Sequence, residues 1–238
     1  MLCQLSYGGL LVALQKASRT PLGLSHREGV PWASVSGVSS DSPTTIRTGE
    51  DLDGEHLSGL DLTGVRAGDV RMLECQVADS RMDEARLSGI RVVDSSWVRV
   101  SASGLAMPHA NWRDAEIKDS RFGLLDLSSS FLLRLTITDT KIDYLNLRGT
   151  TINEVVLTRV RIGEVSLTDG VGTSLRFVDC TVGTVELHNS RVATVDLSTS
   201  ALTKVDGLDS MRGLVLTLDQ VLELGPAMAT HLGVTIAE

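Results

Sequence analysis

Aromatic residues are nearly absent, at 3% of 238 residues. A core of ordinary domain size must then be built from Leu, Val, Ile and Met. Cysteine is scarce too: Cys3, Cys75 and Cys180 are too few and too scattered for a disulfide framework. No apolar run reaches membrane-spanning length. The opening MLCQLSYGGLLVAL is mildly apolar. It has neither a positive charge ahead of its apolar part nor a small-residue cleavage site after it, so it does not read as an export signal. The expectation is a cytoplasmic protein with no membrane association. Excess positive charge is missing as well: 22 Lys and Arg stand against 30 Asp and Glu, a net charge of −8. That weighs against direct nucleic-acid binding, which needs a basic patch.

Concentrated chemistry is also lacking. His26, His56, His109, His188 and His231 are isolated from one another. No nucleophile–base pattern and no metal-ligand spacing is present, because metal sites need several ligands converging on one point. The expectation is therefore no catalytic residue, no cofactor, no metal and no enzyme activity.

What the chain does have is a repeat. From Leu52 to Leu202 every fifth residue forms a series of 31 positions, and Gly172 alone among them is not apolar. These positions are called centres below. No insertion or deletion shifts their phase. A second set lies two residues before each centre, for example Leu125, Ser130, Leu135, Thr140 and Leu145. Larger and smaller residues alternate there, which produces a ten-residue echo such as DSRFGLLDLS at Asp119 and DTKIDYLNLR at Asp139.

A period of five decides the backbone. On an α-helix five residues advance 500°, so the centres would smear around the axis. On a plain strand an odd period sends successive centres to opposite faces. A short extended piece followed by a corner succeeds, because positions two apart point the same way in extended chain. Both sets then face inward. The other positions, mostly polar, turn the chain. Four corners close a 20-residue square, and coils stack at strand spacing.

Leu125-Asp126-Leu127-Ser128, Leu145-Asn146-Leu147-Arg148 and Val195-Asp196-Leu197-Ser198 resemble the motif of the pentapeptide repeat proteins: small, Asp or Asn, Leu or Phe, polar, any. The resemblance implies an all-β solenoid, a right-handed quadrilateral β-helix, over 51–206, with about 7–8 coils. Two departures concern packing detail: centres are seldom Phe, and Ala is uncommon at the small position. Residues 1–50 read as a mobile extension, rich in Ser, Gly, Thr and Pro after the first fourteen. Residues 207–238 read as a short C-terminal helical cap or dimerisation segment. Its first helix starts at a Thr217–Gln220 capping box and stops at Gly225-Pro226, and a second short helix spans 226–232. Within the solenoid, Trp112 is expected to face the small Ala102 across the core, and Pro108 to distort the stack locally.

Cys75 and Cys180 fall on inward positions and read as small core residues. Asp79, Arg99, Asp119, Asp139, Arg159 and Asp179 form a column spaced by 20. It reads as an ion-pair ladder in preference to a Ca²⁺ site, because oxygen-rich cation sites rarely interleave arginine.

The functional expectation is a rigid non-enzymatic scaffold for protein–protein interaction, with an unidentified protein partner. Outward Leu124, Phe131, Leu133 and Tyr144 are the candidate interaction surface. Leu218, Val221, Leu222 and Met228 are the candidate cap or dimer residues, and a homodimer through the C-terminal end is what the resemblance implies. The resemblance also supplies an alternative, a DNA-mimicking inhibitor or protector of DNA gyrase. Its charge does not favour it: between 52 and 206 there are 17 Lys and Arg against 22 Asp and Glu. Duplex DNA of equal length would carry roughly 22 uncompensated negative charges.

Overall fold

The computed structural model describes residues 45–235, so the expected 1–50 extension lies almost wholly outside the described residues. Residues 45–50 already belong to the repeat unit. Ile46 is buried, and the Gly49 N–H donates to Gly68 O at 2.8 Å, one coil on.

The period of five does what the sequence requires. Thirty of the 31 centres are buried, and Gly172 alone is half-buried. Strands pair in parallel with partners 20 residues apart throughout the solenoid, as in Asp51↔Arg71 and Ala201↔Thr181. The strands form one thirteen-stranded and one eight-stranded parallel sheet. Together they wall a single hydrophobic cluster running from Ile46 to Leu224. Each fully buried Leu, Ile or Val in such a stack stabilises by about 1.5–3 kcal/mol before entropy is counted. This architecture is the expected quadrilateral β-helix of about eight coils.

The corners have a specific chemistry. The residue two past a centre takes a positive φ at seventeen non-glycine positions, all of them Asp, Asn, Glu, Arg, His or Ser, and at Gly49, Gly54, Gly59, Gly64, Gly89 and Gly149. β-Branched and bulky residues avoid that region. Accordingly the corner column at Leu124, Tyr144 and Thr184 is not left-handed, and the strands Arg121–Asp126, Lys141–Asn146 and Thr181–Glu186 run straight through it.

Polar residues at inward positions complete the corners. Ser120 Oγ accepts from Val100 N at 3.0 Å and donates to Lys118 O at 2.7 Å. Ser200 Oγ accepts from Cys180 N at 3.0 Å and donates to Phe177 O at 3.0 Å. A small hydroxyl there satisfies backbone groups that would otherwise be buried and unpaired. Cys75 and Cys180 are buried at the same kind of position, and their thiols reach Leu73 O and Val178 O. Burial pushes both thiols above their ordinary pKa.

The core shows one contact that was not expected and corrects one expectation. The Trp112 ring meets Trp97 edge-on, with centroids 5.1 Å apart. Pro108 does not distort the stack. Met107 N donates to Asp126 O at 2.7 Å and His109 N to Ser128 O at 2.9 Å on either side of it. In the coils above, the equivalent N–H groups of Ser128 and Arg148 donate to Asp126 and Asn146 side chains within their own repeats. Proline therefore removes a donor that the inter-coil bonding does not use.

After Asp206 the register ends. A 3₁₀ turn, Leu208–Ser210, and a short strand, Leu214–Val215, lead into one α-helix, Leu218–His231. Thr217 and Gln220 form the expected capping box. The expected stop at Gly225-Pro226 does not occur, and the two anticipated helices are one, with Pro226 inside it. The clash that bars helical conformation before proline involves the preceding Cβ. Gly225 has none, and nothing lies within 4 Å of where one would sit.

Candidate interaction surfaces

The C-terminal helix sits on the last coil by one side chain above all. Gln220 Nε2 donates to Leu197 O at 3.0 Å and Ser200 O at 2.8 Å, while its Oε1 accepts from Thr217 N at 2.7 Å. Leu224 is buried beside it, and Met228 packs half-buried against the core. Near the helix end, His231 Nε2 lies 2.9 Å from Asp209 Oδ1.

Gln220, Leu224 and Met228 define the inward face, spaced as i, i+4 and i+8. The adjoining outer flank carries Leu218, Val221, Leu222, Gly225, Ala229 and Leu232. Leu218 is 73% exposed, Leu222 66% and Val221 40%. Of the seven large apolar residues exposed among the described residues, six lie between Val215 and Val234. Of the four residues singled out in the sequence, Met228 thus covers the coil end, while Leu218, Val221 and Leu222 point away from it. The helix is apolar on two sides, and only one is used.

The side-wall candidates fall into two separate groups. Leu124 and Tyr144 are register partners on adjacent strands of the eight-stranded sheet. Phe131 and Leu133 lie on the thirteen-stranded sheet, paired with Thr151 and Asn153. The structure does not bring the two pairs onto one face, and all four are half-buried. Around Phe131 and Leu133 the flat of the wall is free of charge over three coils, continued by Thr151, Asn153, Val171 and Thr173, while Arg134 and Glu154 stand at its corner. The same side nearer the N-terminus carries Arg71, Glu74, Arg91, Asp94 and Arg113.

The charged column is a ladder of ion pairs. Arg159 Nε and Nη2 each lie 2.7 Å from the two oxygens of Asp139, and Arg99 grips Asp79 in the same bidentate way. Arg134 does so to Asp114 in another column. In every case arginine reaches back one coil. The hydrogen bonds from these guanidinium groups hold Asp79, Asp114 and Asp139 below the ordinary carboxylate pKa. Among the described residues no group of three or more His, Cys, Asp or Glu is placed to hold a metal ion.

Four five-residue sides per coil, a strict 20-residue register and an aliphatic centre on each side decide the architecture. The fold is the pentapeptide-repeat β-helix. No protein-family model matches the chain, and no curated protein does. Among solved structures, the chain is similar to a trypsin-treated form of QnrB1, described as a plasmid-mediated fluoroquinolone resistance protein. Identity is 13%, coverage 82% of this chain and 96% of that one, and the TM-score 0.35. It is similar to full-length QnrB1 at 14% identity, covering 75% and 99%, with a TM-score of 0.26. HetL from the cyanobacterium Nostoc, a pentapeptide repeat protein involved in heterocyst differentiation regulation, matches at 13% identity, covering 74% and 90%, with a TM-score of 0.26. At these values the likeness carries no argument about activity or partner, and the pentapeptide-repeat fold stands on this chain's own register. No helix among the described residues is long and apolar enough to cross a membrane.

Proposed function

We propose that the chain is a non-enzymatic interaction scaffold: a stack of rigid coils that pairs with a second copy through the outer face of its C-terminal helix and offers its walls to a protein partner. The observation that carries this reading is the second apolar stripe, Leu218 to Leu232, on a helix whose first stripe already covers the coil end. Large exposed apolar patches mark contact surfaces. Gly225 and Ala229 at the middle of the stripe permit close helix–helix approach, and a two-fold axis there lets one patch serve both copies. The wall at Phe131 and Leu133 and the Leu124–Tyr144 pair are the partner-facing candidates.

A cysteine at the stripe centre tests this. In a Cys3→Ser background, Ala229→Cys is expected to cross-link into a covalent dimer under mild oxidation, and Asp219→Cys, off the stripe, is not. Equal cross-linking at both positions, or none at either, would overturn the reading. A gyrase supercoiling assay with the purified protein tests the DNA-mimic alternative. The bidentate arginine pairing of Asp79, Asp114 and Asp139 predicts no inhibition, because these carboxylates do not present bare charge as phosphates do.

A further inference from the structure

The last coil of a solenoid leaves backbone groups without a following coil. Here three of its sides are closed by the chain itself. Leu187 N donates to Asp206 O at 2.9 Å and Asn189 N to Ser210 Oγ at 3.0 Å. Val195 N donates to Gly213 O at 2.9 Å and Leu197 N to Val215 O at 3.0 Å, so the Leu214–Val215 strand adds in parallel to the thirteen-stranded sheet. Gln220 takes Leu197 O and Ser200 O.

The fourth side is the strand Ala201–Asp206. It is terminal in the eight-stranded sheet and pairs only with Thr181–Glu186. Its column shows where its free groups point. In earlier coils Leu62 N and Met82 N donate forward to Arg81 O and Ser101 O. Leu202 occupies the same place, and the pairing of 184–186 with 204–206 leaves the Val205 N–H facing the same way; among the described residues no backbone strand receives either group.

A cleft of about 440 Å³ opens along this edge, between Thr203–Asp206 and the helix residues Glu223, Ala227, Thr230 and His231. Its rim is acidic. Asp206, Asp209 and Glu223 outnumber Lys204. Lys204 is paired with Asp206 at 2.8 Å, and His231 lies against Asp209.

The geometry points to this edge as a docking site for a short extended peptide segment of a partner protein, bearing lysine or arginine, which adds as a ninth parallel strand beside the helix. The claim deepens the scaffold reading and rests on it, but it uses a different face of the helix from the self-association stripe. The forward-facing backbone groups specify an extended strand. Leu214–Val215 is the chain's own instance of such an addition one side earlier. The acidic rim selects the charge. Leu224 already fills the coil end, so the inward residues of the peptide must be small.

The probe is a hexapeptide alternating threonine and lysine, added to the full chain and read by amide hydrogen exchange. Exchange at Leu202 and Val205 is expected to slow at least ten-fold. Copies N-methylated at every second residue, in both phases, are expected to lose binding, and a threonine–glutamate copy to bind at least five-fold more weakly. Ala227→Trp, which fills the cleft from an exposed position, is expected to abolish binding with an unchanged melting temperature. Leu222→Glu is expected to retain it, which separates this site from self-association. Three results would overturn the proposal: both amides already protected in the free chain, binding without protection at these two amides, or no binding at millimolar peptide.

Discussion

The side-chain amide of Gln220 donates to the carbonyl of Leu197 at 3.0 Å, across the boundary between helix and solenoid. With its second bond, to Ser200 O, and its third, from Thr217 N, this one side chain fixes the helix start to the last coil. Gln220→Leu leaves both carbonyls without their donor in a buried setting. The expected cost is about 2 kcal/mol, the usual penalty for orphaned buried groups. Chemical denaturation measures it, and faster amide exchange across 218–231 than in 121–186 should accompany it.

Gly172 is the one centre without a side chain, and the reason is backbone proximity. Its φ is +149°, and an added Cβ would lie 1.8 Å from Ile152 O. Gly172→Ala is expected to destabilise by about 3 kcal/mol or more, since the contact is with backbone and cannot be relieved by a rotamer change. Gly149→Ala is the control. Its φ is +64°, with nothing nearer than Ser129 Oγ at 3.6 Å, so only the left-handed cost of about 1–2 kcal/mol applies. Equal losses for the two would contradict this account of Gly172.

The indole nitrogens of Trp97 and Trp112 are buried without a hydrogen-bond partner. An orphaned donor offsets part of what each ring contributes by packing. Trp97→Phe and Trp112→Phe are each expected to cost less than about 1.5 kcal/mol. Trp112→Ala, which removes the packing as well, should cost about 3–5 kcal/mol. Urea titrations of the three variants check the order.

The lowered pKa values of Asp79, Asp114 and Asp139 set an acid limb. A depressed folded-state pKa contributes stability that is present above the unfolded value, about 3.9, and lost as pH falls through the folded value. These pairs are therefore expected to leave the melting temperature independent of pH near neutrality and to lower it below about pH 4. Asp139→Asn removes one pair, so its melting temperature should converge on that of the wild type as the pH drops. A difference that grows on acidification would contradict the assignment.

How much of this was legible in the sequence follows from which forces act locally. The centres were legible because every fifth residue from Leu52 to Leu202 must be inward, and a single slip would have exposed them all. The Asp79–Arg99 and Asp139–Arg159 pairs were legible from the spacing of 20, and the helix start from Thr217 and Gln220. The second role of Gln220, toward Leu197 and Ser200, was not, because those carbonyls become neighbours only when the last coil closes. The run of the helix through Pro226 was missed because Gly225-Pro226 reads as a stop until the missing Cβ of Gly225 is weighed. The open edge at Leu202 and Val205 was hidden for a similar reason: its neighbours in the repeat look identical, and only the absence of a following strand distinguishes it. Leu124 and Phe131 are seven residues apart in sequence, yet they lie on different sheets because a corner falls between them.

The central claim is that the unused apolar face of the C-terminal helix joins two scaffolds. Sedimentation equilibrium of the full chain at micromolar concentration tests it most directly. The account predicts twice the 25.5 kDa chain mass for the wild type. For Leu222→Glu it predicts the single-chain mass with an unchanged melting temperature, since Leu222 is exposed and takes no part in covering the coil end. A wild type that sediments as a single chain, or a Leu222→Glu variant that still sediments as two, would contradict it.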